Sequence, residues 1–140
     1  MQSPNMQSNE SYSLTTNAIT ITVQPFFLED QSEPEENRYF WAYHVHIENN
    51  GNATAQLLTR HWRIVDARGS AHDVIGDGVV GEQPVLAPGE AFEYTSGTPL
   101  TTSSGFMSGS FRMIGEGGLV FDVAVPAFSL DSQDGPRPVH

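Results

Sequence analysis

This chain has no cysteine, no lysine and no long apolar run, and its apolar residues never fall into a helical period. The missing cysteine excludes disulfides, thiolate metal sites and cysteine nucleophiles, and it suits a reducing compartment. All six basic residues are arginine; against 17 acidic residues they leave a formal net charge of −11. Binding a phosphate backbone needs clustered Lys and Arg to displace counterions, so direct nucleic-acid binding is not expected. The acidity is read first as a solubility device and second as a docking surface for a basic partner. No stretch approaches the ~20 apolar residues of a membrane span, and residues 1–13 lack the charge and apolar core of a signal peptide. A cytoplasmic location without membrane attachment is therefore the expectation.

What is present is period two. Runs rich in Val, Ile, Phe, Tyr and Trp alternate with polar residues and are separated by Gly, Pro, Asn and Ser clusters, the pattern of half-buried strands. Strands are expected over 18–28, 38–48, 55–66, 72–75, 91–100, 106–115 and 119–129. On the second, Tyr39, Trp41, Tyr43, Val45 and Ile47 should face the core and Ala42, His44, His46 and Glu48 the other way. Asn49-Asn50-Gly51 predicts a tight turn with the following strand pairing back, and Leu58, Trp62 and Ile64 are expected on one face of that strand. Ser32 to Glu35 matches a capping box, but Pro34 and the charges after it predict a loop rather than a full helix.

About seven strands predict an all-β, immunoglobulin or fibronectin type III-like antiparallel sandwich, with a closed barrel as the alternative. A chain of 140 residues makes one domain, able to bury roughly 68–70% of its unfolded surface without a disulfide or metal. The expected organisation is a disordered tail over 1–17, a domain over 18–130 and a flexible tail over 131–140.

Several unusual strings occur in order: Phe27-Leu28, Glu35-Glu36-Asn37-Arg38-Tyr39-Phe40, Ile47-Glu48-Asn49-Asn50-Gly51 and Gln56-Leu57-Leu58-Thr59-Arg60-His61-Trp62. They continue with Gly78-Val79-Val80-Gly81-Glu82-Gln83-Pro84, Phe92-Glu93-Tyr94-Thr95-Ser96-Gly97 and Phe121-Asp122-Val123-Ala124-Val125-Pro126-Ala127-Phe128. From about residue 18 to 130 the chain closely resembles the ApaG family, also called CorD. The resemblance implies a fibronectin-type sandwich, a link to cobalt tolerance and magnesium efflux, and a genetic neighbourhood that includes dinucleoside-tetraphosphate hydrolysis. Similar domains in F-box proteins and in a polymerase-delta-interacting protein imply protein binding. The family supplies no established catalytic residues, so neither an enzyme activity nor a cofactor is expected.

Gly76, Gly78 and Gly81 form a GxGxxG. Pro84 and Pro88 forbid the helix that a dinucleotide fingerprint requires after its glycines. The loop's amides can still form an anion-binding nest for pyrophosphate or a nucleotide, although Asp77 and Glu82 oppose it; the plainer reading is a tight turn. Arg60, beside Trp62, is the best single residue to meet an anion, while Trp62 is read as core. His44-x-His46 has the spacing of two metal ligands on one strand face, with Glu48, His61 or His72 to complete a set. Exposed histidines are more often plain surface, and no metal site is expected. No nucleophile motif is present, and the Asn52-Ala53-Thr54 sequon has no meaning without secretion. The leading expectation is a non-enzymatic module for an unidentified protein partner, with a pyrophosphate or nucleotide sensor as the alternative.

Overall fold

The computed structural model describes residues 10–132. Among them are nine strands: β1 (Tyr12–Thr16), β2 (Ile19–Phe27), β3 (Tyr39–Asn49), β4 (Ala55–Asp66), β5 (Ala71–Asp77), β6 (Val85–Leu86), β7 (Ala91–Leu100), β8 (Ser104–Gly115) and β9 (Val120–Asp131). They form two antiparallel sheets, β1-β2-β3-β7 and β5-β4-β8-β9, with the short β6 paired to the start of β4. The expected sandwich is the observed fold. Elsewhere among the described residues only single 3₁₀ turns occur, at Glu29–Gln31, Pro34–Glu36 and Glu116–Gly118; the charged 29–37 segment carries too little apolar surface to hold a longer helix.

Alternation decides which side chains enter the core. Ile19, Ile21 and Val23 of β2 and Trp41, Tyr43, Val45 and Ile47 of β3 are buried. They meet Leu57, Trp62 and Ile64 of β4 and Phe111, Met113, Val123 and Phe128 of the far strands. Pro25 stays within β2, at a place where β1 no longer pairs. Its missing donor therefore interrupts no ladder.

Three expectations are corrected. β4 does not pair back on β3: the chain crosses from one sheet to the other, and β4 pairs with β5, β6 and β8. Asn49 organises the crossing. Its buried side chain donates to the carbonyls of Ala53 and Leu86 and accepts from the Gly51 amide. Second, Leu57 rather than Leu58 faces the core, because a bulge between Leu57 and Thr59 inserts one residue and shifts the alternation. Third, residues 12–16, placed in the N-terminal tail, form β1, pair with Ile19–Val23 and pack beside β9. Asp131 likewise ends β9, and the Ser132 amide donates to the Ser103 carbonyl. The rest of both expected tails, 1–9 and 133–140, lies outside the described residues.

Candidate binding cleft

The sandwich is closed on one side and open on the other. At β1 and β2 the first sheet packs against β9. At the opposite margin the edge strands β7 and β5 do not pair with each other, and a cleft of about 580 Å³ lies between them. Tyr43 and Trp62 line it beside Phe40 and Leu100, and its polar lining includes Arg60, Ser96 and Thr98.

Arg60 shares a face with Trp62 and Ile64 by simple alternation and lies opposite Phe111, so a cation points inward from a face that is otherwise apolar; the bulge at Leu58 is what lets Leu57 face inward as well. Its neighbour on β5 is Gly76, where an added Cβ would lie 2.9 Å from both guanidinium Nη atoms. Glycine leaves room for the guanidinium in this position; a Cβ would displace it. Nη1 donates to the carbonyls of Asp77 at 2.9 Å and Gly78 at 3.0 Å. Nε and Nη2 have no hydrogen-bond partner among the described residues. Arg38, Arg63 and Arg112 each face a carboxylate; Arg60 has none within ion-pair distance among those residues.

Two phenols share the Arg60 charge. Burial raises the Tyr43 pKa above its ordinary value, offset in part by a hydrogen bond with Ser96 and by Arg60. Burial raises Tyr94 much further, with Tyr43 adding and Arg60 opposing. The Tyr94 hydroxyl is buried and has no hydrogen-bond partner among the described residues. An unsatisfied buried hydroxyl costs on the order of 1–3 kcal/mol, most of it recovered when the group is removed. Tyr94→Phe is therefore expected to stabilise the domain by about 1 kcal/mol, read as a higher urea midpoint at unchanged slope.

The GxGxxG glycines and Arg60 are brought together, in a form the sequence did not disclose. Gly76 lies within β5, Gly78 follows at φ +67°, and Val80-Gly81 form a turn at φ +43° and +82°. The turn is closed by reciprocal bonds between Val79 and Glu82, while the Gly78 amide donates to the Leu58 carbonyl. Buried Val79 anchors the loop to the core. What the loop presents to Arg60 is carbonyl oxygen, and the amides of Gly78, Val79 and Glu82 are already engaged. His44 and His46 stand on the outer face of the first sheet, where the His44 ring bonds Thr95 at 2.8 Å and Glu93 at 2.7 Å. His61 instead bonds Asp73 on the second sheet; with Arg63 nearby, this bond holds the Asp73 carboxyl below its ordinary value. Among the described residues no group of three or more His, Asp or Glu side chains is placed to hold a metal ion, and no helix is long and apolar enough to cross a membrane.

Sequence reasoning found Arg60 but missed the cleft residues Ser96 and Thr98. Their signal was present: β7 alternates Phe92, Tyr94, Ser96, Thr98 and Leu100 on its inward face. Two polar residues at inward positions mark where the core gives way to a wet opening.

Comparison with known proteins covers the same elements. The ApaG domain family model matches residues 29–115, which include β3 to β7 and with them the cleft. Protein ApaG of Rhodospirillum centenum is 61% identical over 124 residues, spanning 89% of this chain and 95% of that one. Protein ApaG of Paramagnetospirillum magneticum is 60% identical over 121 residues, 86% of this chain and 93% of its own. A crystal structure described as an ApaA protein from Bordetella pertussis superposes with a TM-score of 0.81 at 42% identity, covering 88% of this chain and 98% of that one. By family model, sequence and fold together, this chain belongs to the ApaG family.

Proposed function

We propose that the domain is a non-enzymatic, cytoplasmic binding module that receives an extended segment of a partner protein in the cleft between β5 and β7. Any effect on cobalt or magnesium handling then passes through that partner. The observation that carries the reading is the cleft itself, set between two sheet edges that have no strand beside them on that side. Such edges offer main-chain groups to an added strand, and adjoining pockets select its side chains. Tyr43, Trp62 and Arg60 are also the residue types that dominate interface energetics.

Selection of random peptides displayed on phage against the full chain tests the reading, with amide NMR locating whatever is enriched. The expected result is saturable shifts in β5 and β7 and at the Trp62 indole. Shifts confined to another surface, or no enrichment, would sink it.

A second reading keeps the glycine-rich loop as a pyrophosphate or nucleotide sensor, with Gly76, Gly78 and Gly81 reporting an anion held by Arg60. The direct bonds from Arg60 to the Asp77 and Gly78 carbonyls favour it. Titration with inorganic pyrophosphate distinguishes the two readings, because only the sensor predicts shifts centred on 76–82. The variant to use is Gly81→Ala, since a Cβ at Gly81 meets nothing within 4 Å and alanine at φ +82° costs only about 1 kcal/mol of backbone strain, whereas a Cβ at Gly78 collides with the Glu82 carbonyl as well and breaks the loop for structural reasons.

A further inference from the structure

We infer that the segment received by the cleft is acidic, and that an Asp or Glu side chain of the partner docks on the free edge of the Arg60 guanidinium; this rests on the binding-module reading. Both protons of Nη1 are committed to the Asp77 and Gly78 carbonyls. That leaves the Nε and Nη2 edge, the side-on fork that accepts a carboxylate through two parallel bonds. A half-buried guanidinium without a counter-charge is costly, and main-chain carbonyls offset only part of that cost. The site is one negative charge short of neutrality.

The local charge runs against the molecule as a whole. Although the chain carries −11, the Arg, His, Asp and Glu residues lining the cleft are Arg38, Arg60, His72 and Asp66, and of the two arginines Arg38 is already paired with Glu33 and Glu36. Asp66 is itself turned to its own loop, where one carboxylate oxygen accepts from the amides of Arg68 and Ser70. Arg68 stands close by, bonded to Thr101 on the cleft rim. Arg60 is thus a local positive site in an acidic protein, and such a site orients a ligand bearing a local negative charge.

A carboxylate fits better than a phosphate for two reasons. The Arg60 edge offers one fork and one unit of charge, whereas pyrophosphate brings several charges towards a strongly acidic molecule and finds the amides of Gly78, Val79 and Glu82 engaged. The rest of the lining is also wrong for a small anion: half-buried Phe40 and Leu100, backed by the almost fully buried Tyr43 and Trp62, offer apolar surface that only a larger ligand covers. The ligand is therefore an extended segment with an acidic residue close to an aromatic or branched one.

The phage-selected peptides of the preceding section supply the probe. Enriched sequences should share an Asp or Glu near an apolar residue. Changing that Glu to Gln, or Asp to Asn, in the synthetic peptide should weaken Kd about tenfold or more, the scale of a charge-assisted bidentate contact. Arg60→Lys, which keeps the charge and loses the fork, should do the same, while Arg63→Lys on the outer face should leave Kd unchanged. Because Arg60 also holds the loop, the peptide substitution decides even if Arg60→Lys fails to fold.

Peptides that map to the cleft but lose less than about threefold on Glu→Gln overturn the carboxylate inference and leave the binding module standing. Peptides that map elsewhere, or none enriched, overturn both. Inorganic pyrophosphate that binds saturably and loses its binding in Arg60→Lys, with peptides indifferent to their own carboxylates, assigns the anion to phosphate and likewise overturns the inference.

Discussion

Replacing Trp62 with alanine is expected to cost about 3–5 kcal/mol, a large share of the ~5–15 kcal/mol that holds a domain of this size folded. The indole is 3% exposed and edge-on to three rings: Tyr43 at 5.3 Å, Phe111 at 6.0 Å and Phe128 at 6.2 Å. These rings come from β3, β8 and β9, so one side chain ties both sheets across the core. Truncation removes the buried area and also the edge-to-face geometry. Strands on every side fix the positions of the neighbours, which limits collapse into the space left behind. Urea denaturation measures the loss, and Trp62→Phe should recover part of it. A loss under about 2 kcal/mol would mean that Trp62 serves the cleft surface more than the core.

Gly109→Ala should be nearly as damaging, for a reason of space alone. Gly109 is not among the residues with positive φ, so alanine meets no conformational objection there. Its missing Cβ would fall on the main-chain carbonyl of His61 and 3.1 Å from Cε3 of Trp62. The obstacle is the backbone of the paired strand β4, which cannot swing aside as a side chain does. The strands must part locally or the indole must shift. Overpacking of this kind costs roughly 1–3 kcal/mol, and the upper end is expected where backbone is struck. Gly117→Ala is the control: φ is +76° but nothing lies within 4 Å, so only the conformational penalty of about 1 kcal/mol applies. If the two variants unfold at the same urea concentration, close strand contact is not what requires glycine at Gly109. Because Gly109 and Trp62 touch, the effects of Gly109→Ala and Trp62→Ala should not add.

The strands of this fold were legible wherever alternation ran unbroken. β3 is the clearest example, since Trp41, Tyr43, Val45 and Ile47 are all buried as their spacing required. Legibility failed where one residue was added or a chain direction had to be chosen. The bulge at Leu58 is invisible to periodicity because Leu57 and Leu58 are both apolar, and only the ladder shows which is the extra one. Asn49-Asn50-Gly51 signals a turn correctly but not whether the next strand returns to the same sheet; that choice is made by buried bonds to Ala53 and to Leu86, 37 residues away. β1 was missed because only two of its five residues are even partly buried, so the segment has little apolar signal of its own.

The site divides in the same way. Arg60 stood out by residue type and by its place next to Trp62. That Gly76 lies under the guanidinium could not be read from a GxGxxG, because the pairing that joins them depends on the register of β5 on β4. The cleft is more distant still from any linear pattern: it joins β3, β4, β5 and β7, and its opening arises from a pairing that does not occur.

Closure by β1 and β9 has a bearing on how the domain is attached to other things. Tyr12, at the start of β1, packs against Phe128 near the end of β9, with ring centroids 6.0 Å apart, so the two ends of the folded unit emerge side by side. Their strands, β1 and β9, form the closed margin, while Ser132 reaches across to the Ser103 carbonyl. A domain whose ends meet in this way can be fused or inserted into a longer polypeptide as one unit, held at a single place.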